Sequence, residues 1–124
     1  MDFLVGDDRT DNVVPLKKFY DAAARVVLSS DWDVSDLNPF VGMQNALTRA
    51  PQNLPNIEEA IRSYTINAAY VMRQEDIVGS LEVGKYADMI VLDKDITKIP
   101  AGSINTTQVV RTLLAGETIY SKWK

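Results

Sequence analysis

The pattern of apolar residues changes near residues 74–78 from one that predicts helices to one that predicts short strands. This change limits the folds that the chain can adopt. Before that point lie candidate helices and a single strand-like run at 25–30; after it lie only short strand-like runs and turns. The run at 25–30 is rich in β-branched residues and shows no polar alternation, which is typical of a parallel strand buried on both faces. With 124 residues, 46% of them hydrophobic, the chain can form one ordinary domain or part of a larger one.

Three helices are predicted before the change. Apolar spacing predicts a short helix over 14–24, and Asn38 followed by proline predicts a second one over 40–49. Asn56, with Glu59 in capping-box position, starts the most regular pattern, a single helix over 57–72. We expect the opening dozen residues to form a loop or a frayed end.

The second part of the sequence predicts short strands. A buried strand is expected at 87–92, followed by an irregular connection over 94–105. Strands at 109–114 and 118–120 flank an Ala-Gly-Glu turn and predict a hairpin.

Composition excludes several kinds of chemistry. The chain contains no cysteine and no histidine, so it lacks thiolates, the commonest zinc ligand and the commonest general base at neutral pH. Its net charge of −4 disfavours binding to nucleic acid or to an anionic membrane surface. No apolar run approaches the roughly 20 residues of a membrane span, and the acidic start is unlike a secretory signal, so we expect a cytoplasmic protein.

One glycine-rich stretch has the spacing of a nucleotide-binding loop. Residues 79–85 fit the first seven positions of a P-loop, but the eighth, which should be Ser or Thr, is Tyr86. The stretch is also strand-like, since Leu81 and Val83 alternate with polar neighbours, and a further strand follows it where a P-loop requires a helix. We therefore reject nucleotide binding and predict a β-turn that uses Gly84.

The candidate functional residue lies directly after the run at 25–30. Asp31, Asp33 and Asp36 follow one another in a polar loop, where carboxylates can hold a hard cation or cap backbone amides. We expect Asp33 and Asp36 to cap backbone amides and solvate the loop, and we assign Trp32 to the core. Asp31 differs because the carboxyl ends of parallel strands are where α/β folds place their active sites.

Four segments in order carry a resemblance to a known family. They are SSDWDVSDLNPF, NIEEAIRSYTINAAYVM, GSLEVGKYADMIVLD and VVRTLLAGETIY. Together they resemble the C-terminal part of a metal-dependent amidohydrolase of the amidohydrolase 3 family, which includes N-substituted formamide deformylase-like and exoenzyme regulatory protein-like members. The resemblance covers the chain from about residue 12 onward.

The resemblance implies a fold of α/β plus β class. Residues 1–75 correspond to the last βα portion of a TIM-type (β/α)8 barrel, and residues 76–124 to the C-terminal strands of a small β-sandwich. A whole barrel needs roughly 250 residues, so this part is expected to be incomplete as a stand-alone fold.

The resemblance also implies a reaction and a role for Asp31. In the family, this Asp ligates a divalent metal of zinc or iron type and takes a proton from the water that attacks a small amide or cyclic amide. The family's other ligands are histidines, from a His-x-His pair after the first barrel strand and single histidines after two later strands, and this chain contains no histidine. We therefore expect the isolated chain to bind no metal and to be inactive. The position of Asp33 is commonly proline in the family, a minor departure.

Two alternatives to this enzymatic interpretation remain open. A part cut from a barrel exposes sheet edges and an apolar helix face, so the chain could be a non-catalytic module that forms a homo-oligomer or swapped dimer. The name of some family members also suggests that the chain could be a regulatory protein. Such a protein would not contact DNA directly, because the sequence is acidic and has no DNA-binding motif.

Overall fold

The computed structural model describes residue 4 and residues 6–123. Its first part contains short helices and its second a small antiparallel sheet. The helices are α1 (Asp7–Asp11), α2 (Leu16–Asp21), α3 (Pro39–Thr48), α4 (Ile57–Tyr64) and α5 (Ile66–Val71). The strands are β1 (Met89–Leu92), β2 (Val109–Leu114) and β3 (Glu117–Ser121), with a 3-10 helix (Ala101–Thr106) between β1 and β2. Within the described residues, no helix has both the length and the apolar character needed to cross a membrane.

The predicted hairpin is confirmed. Strands β2 and β3 pair antiparallel, and β1 pairs antiparallel with the other edge of β2. In the β2–β3 turn, Ala115 has φ 50° and Gly116 has φ 85°. A two-residue hairpin turn with two positive φ values has a twist that matches the twist of the strands it joins. The Ala115 N–H donates to a carboxylate oxygen of Asp88, 2.7 Å away, which ties the turn to the start of β1.

The core draws residues from both parts of the chain. Helix α3 packs against the 3-10 helix. The Leu54 and Ile104 side chains are each 1% exposed. The buried apolar residues of this cluster are Leu16, Phe40, Met43, Ala46, Leu54, Ala60, Ile96 and Ile104.

The predicted strand at 25–30 is wrong for this chain. Residues 24–30, which we name the extended segment, belong to no helix or sheet, and Val27 is exposed. A strand needs neighbours to satisfy its backbone groups, and no adjacent strand is present among the described residues to supply them. The segment is instead attached to the α4–α5 region, because Leu28 N–H donates to Ser63 O at 3.2 Å.

The predicted helix over 57–72 is interrupted at one residue. Its start is confirmed, since Asn56 Oδ1 accepts from Glu59 N–H at 2.9 Å. Thr65, at φ −123° and ψ −98°, separates α4 from α5. The Ser63 and Thr65 hydroxyls donate to carbonyls four residues earlier, each at 2.8 Å, a pattern that bends helices.

Three smaller predictions also need correction. The opening residues include α1, whose first-turn acids Asp7 and Asp8 suit the positive end of the helix dipole, so they do not form only a loop. Leu81 and Val83 lie outside any strand. Strand β1 forms as predicted, but Ile90 and Val91 are exposed because no second sheet or helix covers them in the described part of the chain.

The acidic turn before the 3-10 helix predicts a pH effect on stability. Asp95 pairs with Lys98 Nζ at 2.8 Å and accepts from the N–H and hydroxyl of Thr97, and these contacts lower its pKa from 3.8 to about 2. A carboxylate with a depressed folded-state pKa stabilises the fold above its unfolded-state pKa, and this contribution is lost as the pH falls through about 2. We expect Asp95→Asn to lower the urea midpoint at pH 5 and to change it less at pH 2. An equal effect at both pH values would contradict the assignment.

Candidate functional site

Asp31 lies at the carboxyl end of the extended segment, as the sequence predicts. Its backbone is left-handed, with φ 47°. Its N–H contacts Ser29 Oγ at 3.3 Å, and its carbonyl accepts from Val34 N–H at 2.8 Å, closing a turn. The Asp31 side chain is exposed, and its carboxylate accepts no hydrogen bond from any described residue. This carboxylate is therefore free to receive a proton or to contact a cation.

The assignments of the neighbouring residues are confirmed for Asp36, confirmed in part for Asp33 and wrong for Trp32. Asp36 Oδ1 accepts from Asn38 N–H at 2.7 Å, which confirms amide capping. Trp32 is 65% exposed, so its assignment to the core is wrong, because the loop at 31–37 turns away from the buried cluster. Asp33 is exposed and accepts no hydrogen bond from any described residue, so it solvates the loop as predicted, but its predicted capping of a backbone amide is wrong. In the residues with described positions, no three or more acidic side chains come close enough to hold a metal ion.

An open cavity of about 450 Å³ lies beside the end of the extended segment. Asp31 is not part of its wall, although the preceding Ser30 is. The polar residues that line it are Ser29, Ser30, Ser35, Asp36, Asn45, Arg49 and Tyr64. Burial raises the pKa of the Tyr64 phenol, and a side chain at Gly42 would overlap the Tyr64 hydroxyl. The sequence shows Tyr64 only as one position of a helical pattern, so the cavity was not predictable from it.

The polar positions of α4 and α5 face packing partners. Tyr64 packs against the buried cluster. Asn67 is buried and its Nδ2 donates to Val26 O at 2.8 Å. The Tyr70 ring is covered by the Arg25 guanidinium, 3.5 Å from the ring centroid.

The glycine-rich stretch is a turn. Lys85 N–H donates to Glu82 O at 3.2 Å, and Gly84 between them has φ 97°, as the predicted β-turn requires. Lys85 Nζ contacts Ser80 Oγ at 2.6 Å and pairs with Glu82 at 3.3 Å. Its ammonium group is thus occupied within the turn.

Comparison with known sequences places the chain in one family. A sequence profile of the amidohydrolase family matches residues 1–120. The chain is 33% identical over 116 residues to an N-substituted formamide deformylase of Arthrobacter pascens, covering 87% of this chain and 21% of the relative. It is 32% identical over 108 residues to an imidazolonepropionase of Kosmotoga olearia, covering 84% of this chain and 26% of that relative. The chain thus spans about a fifth to a quarter of the length of these relatives.

Comparison with solved structures gives the same fold family. An adenosine deaminase from Xanthomonas campestris with bound zinc matches at a TM-score of 0.72 and 22% identity, over 87% of this chain and 28% of that protein. An amidohydrolase from Thermotoga maritima matches at a TM-score of 0.68 and 23% identity, over 86% of this chain and 26% of that protein. These likenesses concern the fold alone. Because the family profile covers nearly every residue, the resemblance found in the four segments is confirmed, and the chain belongs to the amidohydrolase family.

Proposed function

We propose that this chain is the C-terminal part of a metal-dependent hydrolase that cleaves C–N bonds in a small amide or cyclic amide. In this proposal residues 1–75 contribute the last βα portion of a TIM-type barrel, and residues 76–124 the C-terminal share of a β-sandwich. The names of the relatives support this substrate class, since one refers to an N-substituted formamide and the other to an imidazolone.

One observation carries the proposal. The Asp31 carboxylate is exposed and unbonded at the carboxyl end of the extended segment, beside a cavity with polar walls. Carboxyl ends of strands in α/β folds are the usual location of active sites, so this position suits a group that meets a substrate. In the parent enzyme, Asp31 would help to hold the metal and would pass a proton to the leaving nitrogen.

The described residues do not by themselves fit a metal. Catalytic zinc sites use three protein ligands, whereas the loop at Asp31 supplies only two carboxylates without a hydrogen-bond partner, those of Asp31 and Asp33, since Asp36 is bonded to a backbone amide. A divalent metal of zinc or iron type, when bound in the parent, supplies an activated water. The remaining ligands must then come from residues outside this chain, and the isolated chain is inactive.

Analysis of the longer parent enzyme tests the proposal. The parent sequence should contain a His-x-His pair upstream of the residues described here. The purified parent should contain about one divalent ion per active site by mass spectrometry, and a chelator should abolish amide hydrolysis, which zinc or iron then restores. The isolated 124-residue chain is the matched control and should retain no stoichiometric metal on dialysis. A parent that hydrolyses amides without metal would contradict the proposal.

The alternatives stay predictions. Self-association is favoured by the exposed apolar side chains of the sheet, Ile90, Val91, Ile119 and Tyr120. The regulatory alternative gains no support from the comparisons, whose relatives are named as enzymes. The cytoplasmic location also stays a prediction.

A further inference from the structure

A second cavity lies at the opposite end of the extended segment from Asp31. It has a volume of about 420 Å³, within the range of small-ligand sites. Its polar wall consists of Tyr20, Arg25, Glu59, Arg62, Ser63 and Asn67. Because it borders the start of the segment and Asp31 follows the end, it is separate from the candidate catalytic position.

The cavity wall carries an excess of positive charge in an acidic chain. The residues that line it include two arginines, Arg25 and Arg62, and one acidic residue, Glu59, which leaves one positive charge in excess. Neither arginine forms an ion pair with any acidic side chain in the part of the chain that the structure describes. Guanidinium groups without a carboxylate partner are suited to bind a planar anion through two parallel hydrogen bonds.

One of the two guanidinium groups is already positioned. The Tyr70 ring lies 3.5 Å from Arg25 Cζ and so fixes the guanidinium plane without using its N–H donors. Asn67, 8% exposed, uses its Nδ2 for Val26 O and keeps a second N–H available. The backbone N–H groups of Arg25 and Val26 also donate to no acceptor among the described residues. The residues that line the cavity therefore carry several N–H donors that have no acceptor among the described residues.

We propose that this cavity binds the carboxylate of a small organic monoanion between Arg25 and Arg62. A single negative charge matches the one uncompensated positive charge, whereas Glu59 would repel a phosphate dianion. The site does not depend on the proposed hydrolase activity, because it contains neither Asp31 nor any residue of the cavity beside it.

Amide-resolved NMR titration of the 124-residue chain tests this site. Butyrate is the probe, and butyramide is its neutral control of similar shape. We expect saturable shifts at residues 23–26 and 62–67 with butyrate, weaker binding of inorganic phosphate, and none of butyramide. Adding salt should weaken butyrate binding. Equal shifts with butyramide, or shifts that do not saturate, would overturn the proposal.

Variants then assign the binding to the two arginines. Arg25→Gln and Arg62→Gln should each weaken butyrate binding by about tenfold or more, since each removes a charge-assisted contact. Glu59→Gln should tighten it severalfold. Arg9→Gln makes the same charge change on an exposed helix outside the cavity and should leave affinity within about twofold. Folding of each variant is read from the same spectra, and Arg62→Gln with wild-type affinity would overturn the assignment even if Arg25→Gln fails to fold.

Discussion

Replacement of Asp31 by Asn in the parent enzyme should reduce kcat by about 10³-fold or more. Asn keeps the size and exposure of the side chain but can neither hold a proton nor carry a negative charge. General acid–base catalysis by one positioned group contributes typically about 10²–10⁴-fold, and loss of a charged ligand adds to that. Steady-state kinetics on a small amide substrate measures the effect.

Asp33→Asn is the matched control for this experiment. It removes the same charge two residues away, from an exposed side chain in the same loop, and should leave kcat within about twofold. Both variants should unfold at the wild-type temperature, because neither carboxylate is buried. Unchanged turnover in Asp31→Asn would show that Asp31 is not the proton acceptor.

Replacement of Leu54 by Ala should produce the largest loss of stability in the isolated chain. Leu54 is 1% exposed and lies in the cluster shared by α3, α4 and the 3-10 helix. Truncation of a buried leucine costs about 2–5 kcal/mol because it removes apolar contacts and leaves a cavity. This loss is a large fraction of the roughly 5–15 kcal/mol that stabilises an ordinary domain. Urea unfolding followed by circular dichroism should show a much lower midpoint.

Leu81→Ala provides the same chemical change at an exposed position. Leu81 is 73% exposed, so its truncation should alter the free energy of unfolding by less than about 0.5 kcal/mol. If the two leucine variants unfold at the same urea concentration, the buried cluster does not stabilise the chain as the structure indicates.

The local elements were predictable where short-range chemistry decides them. Asn38 and Asn56 cap α3 and α4 as expected, because an amide oxygen next to free helix N–H groups acts within a few residues. The β2–β3 hairpin was likewise predictable, since its turn requires residues that accept positive φ. The break at Thr65 was not predictable. The helix was predicted from the spacing of apolar residues, and this spacing gives no information about hydroxyl groups that bond to the preceding turn.

The candidate site was predictable only in part. The position of Asp31 after an apolar run is visible in the sequence, and so is the absence of histidine ligands. The cavity beside it requires Arg49, which directly follows α3, and Tyr64, the last residue of α4, and these two residues meet the loop only through folding. The cavity at Arg25 and Arg62 arises in the same way.

The sequence by itself determined the family, the helix starts, the hairpin and the identity of the one candidate carboxylate. Each of these depends on residue types at fixed short spacing. The tertiary structure decided whether the apolar run at 25–30 becomes a strand, because backbone pairing requires neighbouring strands that residue order alone does not provide. It also decided which arginines share a cavity, since such proximity follows from the packing of α4 and α5 against the extended segment.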